Sequence, residues 1–205
     1  MNDNPTPLDP GRTAILVMDF QPGIVGNLPD PDAVLDRAAA AIGIARKRGA
    51  TVGYVRVAFT PEDFDGVPET SRMAAAVAAA GERLDAASPL TAVHARVAPH
   101  EGDIVVRKTR VGAFSTTDLA DQLEARGIDT IVLAGISTSG VVLSTVRDAH
   151  DRDYRVLVLA DASADPKPGV HEFLTTEIFP RQAEVITVEE LRRLLPAPRR
   201  RRPGR

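Results

Sequence analysis

Two periodicities alternate along the chain. Short stretches in which nearly every residue is apolar, 13–18 (TAILVM), 50–57 (ATVGYVRV), 103–107 (DIVVR), 131–134 (IVLA), 154–160 (YRVLVLA) and 183–187 (AEVIT), have strand length and little polar face. That pattern predicts strands covered on both sides. Between them lie stretches of helical spacing or composition, 32–48, 71–80, 117–126, 139–150, 170–179 and 188–195, several stopped by a following Gly49, Gly127 or Pro180. Strands alternating with helices predict an α/β fold: three α/β/α layers around a doubly wound, six-stranded parallel sheet, with right-handed crossovers and the order 3-2-1-4-5-6. Two stretches fit neither period. Residues 58–72 are rich in Pro, Gly, Asp and Glu around Phe59 and Phe64, and are expected to form a lid or an oligomer contact; 89–100 reads as irregular.

The most informative stretch is 130–148 (TIVLAGISTSGVVLSTVRD), an apolar run, a small-residue turn after Gly135, and then Val142, Val146 and Ala149 at helical spacing. Such a strand-to-helix junction ends at the carboxyl edge of a sheet, where helix N–H groups are unpaired and ligands bind. A purely structural turn would look the same, because doubly wound proteins have several. The predicted order places strands one and four side by side. Asp19, which closes the first apolar run, then shares one crevice with the 135–141 turn, and Lys108, closing the third, lies on the same edge.

Composition narrows the class. A length of 205 residues suits one domain. Residues 1–12 are expected to form a disordered N-terminal arm, 13–195 the domain and 196–205 a basic Pro/Arg tail. The formal charge of −3 becomes −8 without the five arginines of the terminal RRRRPGR, so the body is acidic. The tail is expected to be a solvated end rather than a nucleic-acid or membrane contact. No apolar run nears the roughly 20 residues of a bilayer span, and the polar start lacks the layout of a secretory signal, so the expected location is cytoplasmic. The absence of cysteine excludes a thiolate nucleophile and a Cys-ligated metal. There is no GxGxxG or GxxxxGK[ST], and His94, His100, His150 and His171 lack metal-ligand spacing and are expected at the surface. Ser137, Ser139 and Ser144 sit in no GxSxG elbow.

Three segments carry a resemblance: Asp19 in ILVMDFQ, Lys108 in KTRVGAF, and GISTSGVVLSTVRDA over 135–149. Together, in this order, they resemble the signatures of the isochorismatase-like hydrolase superfamily, across residues 13–191. In its cysteine amidases the resemblance implies an Asp and a Lys facing a nucleophilic Cys one turn into the helix, after a non-proline cis peptide. The Cys maps onto Val141 and the cis bond onto Ile136–Ser137. Isochorismatases in the family lack the Cys and use the Asp as a general acid on a vinyl ether, and KTRVGAF resembles their K-x-R-x-x-A-F segment. The resemblance therefore implies a cysteine-independent hydrolase without metal or cofactor, with Asp19 and Lys108 catalytic. Arg110, Phe114, Ile136, Ser137, Gly140 and Val141 would contact a small, anionic, vinyl-ether-like substrate. It also implies a homo-oligomer, a dimer or larger. This chain departs from the isochorismatases in carrying Val at 141, where they have Gly, and ISTSGV in place of an aromatic or histidine-rich turn. It departs from nicotinamidases in that VRVAFTPEDF has no paired Asp and His metal ligands. A non-catalytic relative that keeps the pocket as a small-molecule sensor or an oligomer scaffold fits the missing Cys equally well.

Overall fold

The computed structural model describes residues 6–167 and 169–196. Six strands, β1 (Thr13–Met18), β2 (Thr51–Val57), β3 (Ile104–Lys108), β4 (Thr130–Gly135), β5 (Arg155–Leu159) and β6 (Glu184–Ile186), form one sheet in the order β3-β2-β1-β4-β5-β6. All five pairings are parallel. The α-helices are α1 (Pro22–Val25), α2 (Pro31–Arg48), α3 (Pro61–Asp65), α4 (Met73–Ala80), α5 (Leu119–Glu124), α6 (Leu143–Asp151), α7 (Val170–Phe173) and α8 (Val188–Leu194).

The aliphatic strands give the sheet two dry faces. Ile15 and Val17 of β1 point into a core with Val34 and Ala38 of α2 and Leu191 of α8, while Leu16 and Met18 join Leu119, Leu123 and Val146 from α5 and α6. This is the period of two expected of a strand buried on both sides. At about 25 cal/mol per Å² of apolar surface removed from water, these two cores are the main source of stability, and they fix the carboxyl edge on which the site is built. Helix α2 begins with Asp30 accepting from the Ala33 N–H and ends at Gly49, whose φ of 81° permits a left-handed cap.

Two helix expectations change. The 139–150 helix does not start as one: Thr138–Val142 is a π-turn, with the Val142 N–H donating to Ser137 O across five residues, before α6 takes over. The 170–179 helix is likewise α7, a π-turn (Leu174–Ile178) and a 3₁₀ turn, and the Thr175 and Thr176 hydroxyls bond back to the carbonyls of His171 and Glu172. In the 58–72 stretch Phe59 is fully buried and stacks on Phe64 at 5.1 Å, over α3 with its Thr60/Asp63 capping box. Within the stretch assigned to the N-terminal arm, Leu8 is buried and its N–H donates to Leu194 O at 2.8 Å. The start of that arm, and the tail from 197 on, lie outside the described residues. Among the described residues no helix is long and apolar enough to cross a membrane.

Candidate active site

The strand order brings the three signature segments together. Met18 pairs in register with Gly135, so Asp19 and the turn after β4 leave the sheet side by side. Lys108 ends β3 opposite Val57. Strand β2 therefore stands between Asp19 and Lys108, and two strand spacings amount to about 10 Å, a gap suited to a lysine's four-carbon stem. The Nζ of Lys108 donates to Asp19 Oδ2 at 2.8 Å.

Both groups are buried, Asp19 at 5% and Lys108 at 2% exposure. The ammonium has three N–H donors and the protein takes them all: besides Asp19, Lys108 donates to Val111 O at 2.8 Å and Arg110 O at 3.2 Å. Lysine thus holds both the carboxylate and the loop after β3, and keeps no donor for a ligand. Asp19 differs, since its Oδ1 is buried with no hydrogen-bond partner. A buried, unpaired carboxyl oxygen is rare in folded proteins and is one mark of a catalytic group. Burial pushes the Asp19 pKa up to about 6, against the opposing pull of the Lys108 charge and hydrogen bond. The backbone of Asp19 is itself unusual, with φ 60°, in the left-handed region where Asp is tolerated better than most residues; its N–H is held by Val55 O at 2.8 Å.

On the opposite wall, the Ile136–Ser137 peptide is cis. Gly135 is required by packing, since a Cβ there would stand 2.8 Å from Val142 Cγ2 and 3.2 Å from Val141 Cγ1. At Gly140 a Cβ would stand 2.8 Å from Ser137 Oγ, so a side chain there would turn that hydroxyl away from its present position. Val141 stands at 2% exposure with its side chain on the cavity. The first turn of the helix is capped from outside: the Ser139 N–H donates to Asp165 Oδ2, and Thr138 Oγ1 lies 2.8 Å from His171 Nδ1. Burial works against the Asp165 charge, but hydrogen bonds from Ser139 and the Lys167 N–H outweigh it and hold the carboxyl below its usual range. Burial likewise lowers the pKa of His171, which is half-buried rather than on the surface as its sequence context suggested.

The cavity between these walls measures about 290 Å³. Asp19, Lys108, Arg110, Ile136, Ser137, Gly140 and Val141 all line it. Phe114 does not. Its ring is turned into the core, stacked on Tyr154 at 5.9 Å under the Arg152 guanidinium, because the 109–118 loop folds back against α6. Sequence reasoning missed Ile24, Asn27, Leu28 and Met73, which supply another part of the wall from α1, the turn after it and the start of α4. It also missed Gln21, buried at the end of the ILVMDFQ motif, whose amide bonds Val57 N–H, Val57 O and Thr91 O at 2.8 Å and ties three segments into one rim. Its place two residues after Asp19 was the available signal. Among the described residues no group of three or more His, Asp or Glu converges as a metal site.

A doubly wound parallel sheet with a buried acid-ammonium pair, facing a cis peptide across its switch point, defines an α/β protein with its site at the carboxyl edge of the sheet. A family model for the isochorismatase domain matches residues 13–190, and the chain belongs to that family. It is 31% identical over 184 residues to the maleamate amidohydrolase of Pseudomonas putida, covering 87% of this chain and 84% of that one. Among solved structures, an isochorismatase family protein from Burkholderia thailandensis superposes with a TM-score of 0.78 at 30% identity, covering 93% and 99%. N-carbamoylsarcosine amidase from Thermoplasma acidophilum gives 0.72 at 28% identity, covering 87% and 97%. The chain is thus an isochorismatase-family hydrolase by fold and sequence.

Proposed function

We propose that this hydrolase works without a covalent intermediate, with protonated Asp19 as a general acid on a small vinyl ether that carries one carboxylate. The observation that carries this reading is the Asp19 carboxyl: buried at the cavity wall, raised to about 6, and with Oδ1 outside every hydrogen bond the protein makes. An acid of that strength donates near neutral pH, which an ordinary aspartate does not. The amidase relatives suggest acyl transfer, but position 141 is an aliphatic side chain and the chain has no cysteine to replace a thiolate.

Asp19 Oδ1–H protonates the terminal carbon of the enol ether, which leaves an oxocarbenium ion and the Asp19 carboxylate paired with Lys108. Water adds to the cationic carbon and returns a proton to Asp19, and the hemiketal collapses to a ketone and an alcohol. Lys108 fixes the donor and stabilises its conjugate base. With all three lysine donors committed, Arg110 is the cation left to meet the substrate's carboxylate. Among the described residues Arg110 is the one cation besides Lys108 on walls that are mostly apolar, including Ile24, Leu28, Val57 and Met73, which favours a monoanion over a dianion.

The test is turnover of the ethyl enol ether of pyruvate, read as pyruvate release. Asp19→Asn, which keeps the shape and loses the donor, should lower kcat by about 10²–10⁴-fold. Unchanged hydrolysis by the Asn variant would remove acid catalysis by Asp19.

A further inference from the structure

A second cavity of about 190 Å³ lies beside the first, and the same two side chains, Ile24 and Val57, line both. Ile24 is the residue of α1 that lines both cavities. Ile24 is half-buried on a four-residue helix whose position is set by contacts rather than by length: its N–H donates to Gln21 O at 2.9 Å. Gly23 beside it has no Cβ to hold it off, since one would stand 3.2 Å from Leu90 O and 3.3 Å from Leu90 Cβ. Val57, by contrast, is the last residue of β2, and its N–H and C=O are both clamped by Gln21. The partition thus has a strand side clamped through the backbone of Val57 and a helix side formed by the Ile24 side chain.

The second chamber offers a ligand little polar recognition. Gln21 commits its side-chain oxygen and nitrogen to Val57 and Thr91, and the Thr91 hydroxyl donates to backbone carbonyls, with Asp85 O at 2.8 Å. Ala80, Leu84 and Leu90 give it an apolar lining, and Arg83, the one charged residue of that lining, is exposed. An apolar group is the occupant such a chamber accepts at no cost in lost hydrogen bonds.

We infer that Ile24 determines specificity in this hydrolase: it closes the catalytic cavity against an apolar side chamber and so limits the apolar reach of the substrate, excluding long substituents. The inference rests on the assignment of the first cavity as the substrate site for a carboxylate-bearing compound. It does not require that turnover proceed through Asp19.

The experiment is calorimetric titration of the full chain with straight-chain carboxylates from acetate to dodecanoate, long enough to exceed a cavity of about 290 Å³. Wild-type affinity should rise with length until the first cavity is filled and then stop. In Ile24→Ala the rise should continue, by about fourfold for each of the next two or three methylenes, the gain expected from burying a CH₂. Adding Ala80→Leu, which fills the chamber from another of its lining positions, should cancel that extra gain, an effect that mere loosening of α1 does not produce. Ile24→Val provides a milder opening with the same direction if the alanine variant does not fold. A length profile in cooperatively folded Ile24→Ala identical to wild type overturns the inference, and so does a wild-type chain that binds none of the carboxylates. The expected profile together with no hydrolysis of the enol ether leaves the partition standing and removes acid catalysis; hydrolysis with an unchanged profile does the reverse.

Discussion

At the scale of single residues, the site turns on how three donors and two oxygens are shared. Lys108 spends every N–H on the protein, and Asp19 keeps one oxygen unspent. The consequence is an acid that the fold positions but does not satisfy. Position 141 carries the other half of the argument. Val141→Cys is close in volume and should leave the fold intact, with a thermal midpoint within a few degrees of wild type. The new thiol would face the cavity that Lys108 lines and should be alkylated by iodoacetamide at one label per chain, since no other cysteine exists. A folded variant that stays inert would contradict the placement of residue 141 on the cavity. Asp19 and Lys108 were legible in the sequence because a charge that closes an aliphatic strand has no structural reason to be there. Phe114 was misread because nothing in the one-dimensional pattern shows a loop folding its ring back under Tyr154. Asn27 and Met73 carry no chemical signature, so only the folded chain shows that they line the cavity.

At the scale of elements, the loop after β3 and the end of β1 are held together by the one buried ammonium, and its removal has a pH signature. Lys108→Met takes away the charge and hydrogen bond that oppose desolvation, so the Asp19 pKa rises further above its ordinary value. A group with a raised folded pKa contributes stability that is present below its unfolded pKa and lost as pH rises through the folded value. The variant should therefore lose about 3–5 kcal/mol of unfolding free energy at alkaline pH, where Asp19 is left charged and unpaired, and clearly less at acidic pH. Urea melts at the two extremes of that range read this directly, and an equal loss at both would contradict the buried pairing. The strands were legible because aliphatic runs on a doubly covered sheet have no polar face to blur them. The π-turn at Thr138–Val142 was not, because over five residues an apolar pattern cannot tell 3.6 residues per turn from a wider helix.

At the scale of the whole molecule, the order β3-β2-β1-β4-β5-β6 was legible because alternating strands and helices with right-handed crossovers leave few topologies. That order alone puts Asp19, Lys108 and the cis peptide on one edge of the sheet. The cavity is harder to foresee, since its walls come from α1, the start of α4 and the 108–111, 136–141 and 166 regions, segments far apart in the chain. Its chemistry is set by burial, which depends on all of them at once. The pH dependence of kcat/KM for the ethyl enol ether of pyruvate probes that combined effect most directly. With the raised Asp19 as the required acid, kcat/KM should be level at acidic pH, break near the pKa of about 6, and fall tenfold per pH unit above it. A rate that is flat through that range, or that climbs with pH as a general base or a thiolate would make it do, contradicts the account.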